Sequence, residues 1–255
     1  MHEGPYLSIV VPAYNEETRI GHNLKKILFY LRRKGYSYEL IVVDDGSKDE
    51  TLKVINRIVE RDVHIRVLRN ENNYGKGYAV KKGMLNAKGS YILFTDADLS
   101  TPIAELDKFL QVIQSGYDIA IGSRKVSGAQ IEVHQSWLRE FIGKGFTWLA
   151  NVVVTKDISD VTCGFKCFRR GAAQVVFSKQ RLYDWSFDAE ILFLARKYGY
   201  RVKQMPVRWR NDSRTKFSML RNILPSLLGL AKIKVAEWQG KYEDHLDHSK
   251  INYCP

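Results

Sequence analysis

The chain is expected to fold as an α/β protein on a mostly parallel sheet flanked by helices, and three observations predict it. Short β-branched runs, Leu7–Pro12, Glu39–Val43, Arg66–Leu68 and Tyr91–Phe94, each stop at a polar turn; near-continuous apolar strands of this length belong to parallel sheets covered on both faces. Between the runs, apolar residues recur at three- and four-residue steps, the period of helices that lay one side on a sheet. The turns that end the runs carry acids and glycines, the chemistry of the ligand-collecting loops at a carboxyl edge.

The elements follow in order. After the first run, Ile20, Leu24, Ile27, Leu28 and Leu31 mark a helix. After the second, Ser47 and Asp49 offer N-caps to a helix carrying Leu52, Ile55, Ile58 and Val59. The third run leads through Asn73–Tyr74–Gly75–Lys76–Gly77 into a helix with Ala79, Val80, Met84 and Leu85. The fourth leads through Thr101–Pro102, with Glu105 behind it as a capping pattern, into Leu106, Phe109, Leu110 and Ile113. A further run ends at Gly122–Ser123–Arg124, so residues 5–122 form a doubly wound, nucleotide-binding half. Residues 123–217 then supply a polar loop, a helix over 136–153, a strand over 162–168 and a helix opening at Phe187–Asp188–Ala189–Glu190, the expected acceptor side. An amphipathic helix over 218–240 completes one domain of residues 1–242, with 243–255 as a tail.

A chain of 255 residues with 45% hydrophobic and 27% charged residues buries a substantial core, and neither repeats nor low-complexity tracts interrupt it. The formal net charge of +12 calls for an anionic partner: nucleic acid, a phosphorylated substrate or an anionic membrane surface. Three cysteines, Cys163, Cys167 and Cys254, make neither a disulfide framework nor a zinc site, which fits a reducing cytosol. No basic-then-apolar leader opens the sequence, and no stretch reaches the ~18 apolar residues of a spanning helix.

The most informative chemistry is Asp96–Ala97–Asp98, which closes the apolar run Tyr91–Thr95. Two carboxylates on one turn at a carboxyl edge are hard oxygen ligands suited to Mg²⁺ or Mn²⁺ on a substrate diphosphate, although the same pattern also occurs as an ordinary capped turn. Pro12, Tyr14 and Glu16 follow the first strand, and Asp44 and Asp45 the second, around one crevice. A carboxylate there accepts a base N–H or ribose hydroxyls, and Tyr14 can cover a base. The glycines around Lys76 let backbone amides and the ammonium approach a phosphate.

Taken in order, Val11–Pro12–Ala13–Tyr14–Asn15–Glu16, Val43–Asp44–Asp45–Gly46–Ser47, Asn73–Tyr74–Gly75–Lys76–Gly77, Asp96–Ala97–Asp98, Gly122–Ser123–Arg124 and Cys163–Gly164–Phe165–Lys166 resemble a family 2 (GT-A fold) glycosyltransferase of the polyprenyl-phosphate sugar synthase group. Within it, Gly75–Lys76–Gly77–Tyr78–Ala79–Val80 and Thr95–Asp96–Ala97–Asp98–Leu99–Ser100–Thr101–Pro102 look most like the dolichyl-phosphate glucosyltransferases. The resemblance spans about residues 7–217 and implies a UDP-sugar donor, a polyprenyl or dolichyl phosphate acceptor, transfer with inversion and a divalent cation, Mg²⁺ or Mn²⁺, held by Asp96 and Asp98. It also places Asp188 near the reaction centre, orienting the sugar or acting as base. A lipid phosphate is already an oxyanion and needs positioning more than deprotonation; the basic candidates are Arg124, Arg139 and Arg214, with Lys216.

Eukaryotic glucosyl members of the group carry an N-terminal membrane span and several bacterial ones C-terminal spans, neither of which is found here. The substitute is the helix of Leu220, Ile223, Leu224, Leu227, Leu228, Ala231, Val235 and Trp238, set among Arg221, Lys232 and Lys234 and kinked or started by Pro225. It is expected to lie on the cytoplasmic face of a membrane, a peripheral contact, or else to pack on the core or a partner. Three other functions compete: a GDP-mannose-dependent polyprenyl-phosphate transferase, a family 2 transferase with a soluble or polysaccharide acceptor, and a nucleotide-binding regulatory protein without turnover. A nucleic-acid binder is not expected, because the ordered acidic turns would repel a phosphate backbone.

Overall fold

Alternate residues of each strand go to opposite faces of the sheet, and in the computed structural model of this protein both faces are buried. The structure describes residues 4–133, 137–212 and 219–243, the side chains of 137–140 and 219–224 excepted. The chain runs β1 (Leu7–Ala13), α1 (Ile20–Arg32), β2 (Tyr38–Asp44), α2 (Thr51–Val59), β3 (Ile65–Arg69), α3 (Lys76–Asn86), β4 (Tyr91–Thr95), α4 (Leu106–Gln114) and β5 (Ile119–Ser123). It continues through β6 (Gln130–Val133), α5 (Trp137–Ala150), β7 (Phe165–Arg169), α6 (Arg170–Lys179), α7 (Phe187–Lys197), β8 (Val202–Pro206), β9 (Arg208–Arg210) and α8 (Met219–Trp238). Leu7, Ile9, Val11, Leu40, Val42 and Leu93 pack beneath α1, α2 and α4. Val10, Ile41, Val43, Ile92 and Phe94 face the other way, toward α3, α6, α7 and α8.

The seven-stranded sheet has the order β3-β2-β1-β4-β7-β5-β8, and β7 runs antiparallel between β4 and β5. Sequence alternation carries no strand direction, so the reversal was not legible. Its effect is to bring the start of β7 to the edge where β1, β2, β4 and β5 end, since Phe165 pairs with Thr95. The sheet therefore continues unbroken past residue 122. A short parallel pair, β6 with β9, flanks it.

Several local expectations are revised. The strand expected from 162 begins at Phe165. Pro12 lies within β1 and is buried; pairing with β4 stops at Val10–Phe94, so the strand tolerates a residue without N–H. Asp49 caps Thr51 N–H at 3.0 Å, but Ser47 instead accepts from Asn15 N–H. Glu105 caps nothing: its buried carboxylate takes Arg208 Nε at 2.9 Å and Lys108 Nζ at 2.5 Å. The C-terminal stripe divides, because Leu230, Ile233 and Ala236 join the core while Leu228, Val235 and Trp238 stand 52%, 50% and 88% exposed. None of the described helices is long and apolar enough to cross a membrane.

Candidate active site

The parallel register sets the ends of β1 and β2 side by side, Ala13 opposite Asp44, and β4 delivers Asp96–Ala97–Asp98 to the same edge. The two acids after β2 have different environments. Asp45 is tied into the fold: it accepts Asn70 Nδ2 at 2.7 Å, Tyr74 N–H at 3.1 Å and Gly75 N–H at 2.9 Å, so it fixes the loop that carries Lys76. Asp44 is fully buried; one oxygen accepts Ser47 N–H at 3.3 Å, while the other finds no hydrogen-bond donor among the described residues. A buried carboxylate oxygen without a donor is costly, and an N–H or hydroxyl of a bound nucleotide would satisfy it. Arg69 Nε stands 3.9 Å from that oxygen.

The turn after β1 is similarly divided. Tyr14 is half-buried. Asn15, at φ 53°, donates its N–H to Ser47 and accepts Lys48 N–H through its side chain, which ties this turn to the one after β2. Glu16, expected among the nucleotide-sugar-binding residues, holds the buried Arg19 through both carboxylate oxygens, and Arg19 reaches Asp212 at 3.2 Å. Arg19 was missed in the sequence, where it passes for a surface residue at a helix start.

Asp96 and Asp98 sit on a tight turn with Leu99 at φ 50°. Asp96 N–H donates to Gly164 O at 3.2 Å, and Asn23 Nδ2 donates to Ala97 O at 2.8 Å. A Cβ at Gly164 would lie 2.0 Å from the Asp96 carboxylate, so any other residue there displaces that side chain. Asp98 accepts Ser100 N–H at 2.9 Å. Burial, with Asp96 beside it, pushes the Asp98 carboxyl above its ordinary value, against Ser100 and Arg19. The donor set is two hard carboxylates on one turn, which fits a divalent cation. Among the described residues no cluster of three or more His, Cys, Asp or Glu could hold a metal, so its remaining ligands would come from substrate and water.

Lys76 meets this turn from the first position of α3, its ammonium 2.5 Å from Asp96 Oδ1 and 5.0 Å from the Trp185 ring. Burial works against its charge, but Asp96, Asp188 and Asp98 outweigh it and raise Lys76 above its ordinary value. Gly75, at φ 102°, lets the loop pass under Tyr183, where a Cβ would fall 2.5 Å from the Tyr183 carbonyl oxygen.

Two expected catalytic groups are already engaged. Asp188, in the first turn of α7, is buried and pairs with the buried Lys166 of β7 at 2.5 Å. Burial pushes its carboxyl up against the pull of Lys166 and Lys76. Its carboxylate is thus engaged by Lys166 across β7 and α7. Arg124 donates Nε and Nη2 to Asp160, both at 2.7 Å, and Nη2 again to Thr162 at 3.0 Å, a forked pairing that ties the end of β5 to the segment before β7. Lys166 was legible in principle, because a lysine inside Phe165–Lys166–Cys167–Phe168 needs a buried partner. Glu190 receives Arg181 N–H, Leu182 N–H and Tyr242 Oη, tying the 181–182 turn to the end of α8. The Arg139 side chain, Arg214 and Lys216 lie outside the described residues.

Residues 8–177 match the family described as Glycosyl transferase family 2. A dolichyl-phosphate beta-glucosyltransferase of Trichomonas vaginalis is 34% identical over 238 residues, 89% of this chain and 73% of the relative. That of Saccharomyces cerevisiae is 31% identical over 258 residues, 94% and 77%, and that of Homo sapiens 35% over 216 residues, 80% and 67%. Among solved structures, mannosyl-3-phosphoglycerate synthase of Rubrobacter xylanophilus superposes with a TM-score of 0.67 at 17% identity, covering 96% of this chain and 78% of its own. Glucosyl-3-phosphoglycerate synthase of Mycobacterium tuberculosis with UDP gives 0.65 at 18%, covering 90% and 81%. A second structure of that enzyme, with Mn²⁺, UDP and glucosyl-3-phosphoglycerate, gives 0.63. The fold is GT-A.

Proposed function

The chain belongs to glycosyl transferase family 2, and we propose that it moves glucose from UDP-glucose to a polyprenyl phosphate of the dolichyl type, releasing UDP. The relatives' shared name, dolichyl-phosphate beta-glucosyltransferase, supports both the hexosyl transfer and its acceptor. Since the glucose of UDP-glucose is α-linked, a β product requires inversion in one displacement.

One observation favours a phosphate acceptor over a hydroxyl: Asp188, where a base would be expected, already holds Lys166 at 2.5 Å. A hydroxyl must lose its proton as it attacks. A phosphate monoester arrives ionised, so the protein has only to align it. In this reading Asp44 accepts an N–H of the base, Asp45 fixes the Gly75–Lys76 turn and Lys76 faces the diphosphate. Asp96 and Asp98 would hold the divalent cation, Mg²⁺ or Mn²⁺, which when bound offsets charge on the departing UDP; Mn²⁺ with UDP in a fold neighbour supports a cation of this class.

Peripheral membrane contact on the cytoplasmic face belongs to the same proposal. Leu228, Val235 and Trp238 project from α8 beside exposed Lys232 and Lys234, and Phe141, Trp148 and Val152 project from the neighbouring α5 and its π-helical extension Asn151–Thr155. Apolar stripes with lysines at their margins suit an anionic lipid surface. The test is transfer of radiolabelled glucose from UDP-glucose into solvent-extractable lipid. The proposal expects label only with polyprenyl phosphate present; label in a water-soluble acceptor instead would refute it.

A further inference from the structure

Lys76 occupies the carboxylate a cation would need. Its ammonium lies 2.5 Å from Asp96 Oδ1 beneath the Trp185 indole, and the loop before it is pinned by Asp45 through Tyr74 and Gly75 N–H. The contact is built in, not a chance pairing of surface groups. The crevice shows why it exists. Asp96, Asp98 and Asp188 all act on Lys76, and Asp188 has its own partner in Lys166. Without Lys76, Asp96 and Asp98 would face each other on one turn, with Arg19 acting on Asp98 and Arg124 on Asp96.

A dication placed on Asp96 beside an unmoved ammonium would set like charges a few ångströms apart in a partly desolvated site. The described residues also offer no third acidic, histidine or cysteine ligand to offset that repulsion. A nucleoside diphosphate brings negative charge for both the cation and the lysine. We propose that Lys76 is a resident counter-ion that keeps a divalent cation off Asp96 until the nucleotide arrives, and then passes from the carboxylate to the diphosphate. The inference rests on Asp96 and Asp98 being the cation site of a nucleotide-sugar transferase.

The test is Mn²⁺ binding to the nucleotide-free protein, read from the electron paramagnetic resonance signal of free Mn²⁺ and repeated with saturating UDP. The proteins compared are wild type, Lys76→Gln, Lys76→Arg and Asp98→Ala, each checked by thermal melting. Without nucleotide, Lys76→Gln is expected to bind Mn²⁺ at least ~10-fold more tightly than wild type, about 1.4 kcal/mol. Lys76→Arg stays as weak as wild type, and UDP narrows the difference. If Lys76→Gln melts early, Lys76→Met keeps the stem's packing under Trp185 and carries the same comparison. Mn²⁺ affinity that is unchanged or weaker in the folded, uncharged variant overturns the inference while leaving the cation site standing, provided Asp98→Ala has lost Mn²⁺. Unaltered Mn²⁺ binding in Asp98→Ala removes the cation site itself, and the inference with it.

Discussion

The Lys166 ammonium lies 2.5 Å from a carboxylate oxygen of Asp188, with the two side chains 0% and 2% exposed. Lys166 also donates to Cys163 O at 2.7 Å, so one buried cation joins the turn before β7, β7 itself and the first turn of α7. Removing one member leaves the other charge buried and unpaired, which typically costs about 3–5 kcal/mol. Lys166→Met is expected to lose that much in urea unfolding and nearly all turnover. Lys166→Met/Asp188→Leu should regain part of the stability and none of the activity.

Asp44 and Asp45 are neighbours with opposite predicted phenotypes. Asp44 has the buried oxygen without a donor, so Asp44→Ala should leave the melting temperature near wild type or above it. UDP affinity should fall ~10–100-fold, the scale of a hydrogen bond to a charged group. Asp45→Ala releases three donors of the 70–75 loop and should lower both stability and turnover. Calorimetric UDP titration beside a thermal melt separates the two.

The Arg124–Asp160 pair carries a pH prediction. Burial alone would raise the Asp160 carboxyl, but Arg124 pulls it below its ordinary value of 3.8. A carboxyl depressed by folding gives stability that is present at neutral pH and lost as the pH falls below that ordinary value. Acid unfolding of Asp160→Asn should therefore be less steep with pH than that of wild type, from a lower starting stability. Because Arg124 is engaged in this pair, Arg124→Lys should change stability more than the Michaelis constant for lipid phosphate.

The exposed stripe of α8 predicts membrane affinity. Val235→Glu with Trp238→Glu replaces two exposed apolar side chains without touching Leu230, Ile233 or Ala236. Sedimentation with anionic vesicles should fall ~10-fold or more, while turnover of a short, water-soluble polyprenyl phosphate stays within about twofold. Insertion gains of this kind scale with buried apolar area.

Much of this was legible in the sequence because strands and helices announce themselves by period. The runs ending at Pro12, Val43, Leu68 and Phe94 became β1 to β4 with one or two residues added. Asp96 and Asp98 stand at the edge where their pattern put them. Side-chain partnership was not legible, because it is made across the fold: Glu16 with Arg19 is local, but Arg124 with Asp160 and Lys166 with Asp188 join residues whose proximity depends on the reversed β7. The acids of Asp44–Asp45 could not be ranked from sequence either, since the difference is the set of N–H groups that the 70–75 loop delivers to one of them.

Release of UDP or GDP from a panel of nucleotide sugars, with Mg²⁺ or Mn²⁺ and with or without a short polyprenyl phosphate, bears most directly on the pairing of a UDP-sugar donor with a lipid phosphate acceptor. UDP is expected from UDP-glucose only when the lipid phosphate is present, and its release is expected to be lost in Asp98→Ala. Lipid-independent transfer to a soluble acceptor, GDP released from GDP-mannose, or tight UDP binding with no turnover under any condition would contradict that pairing.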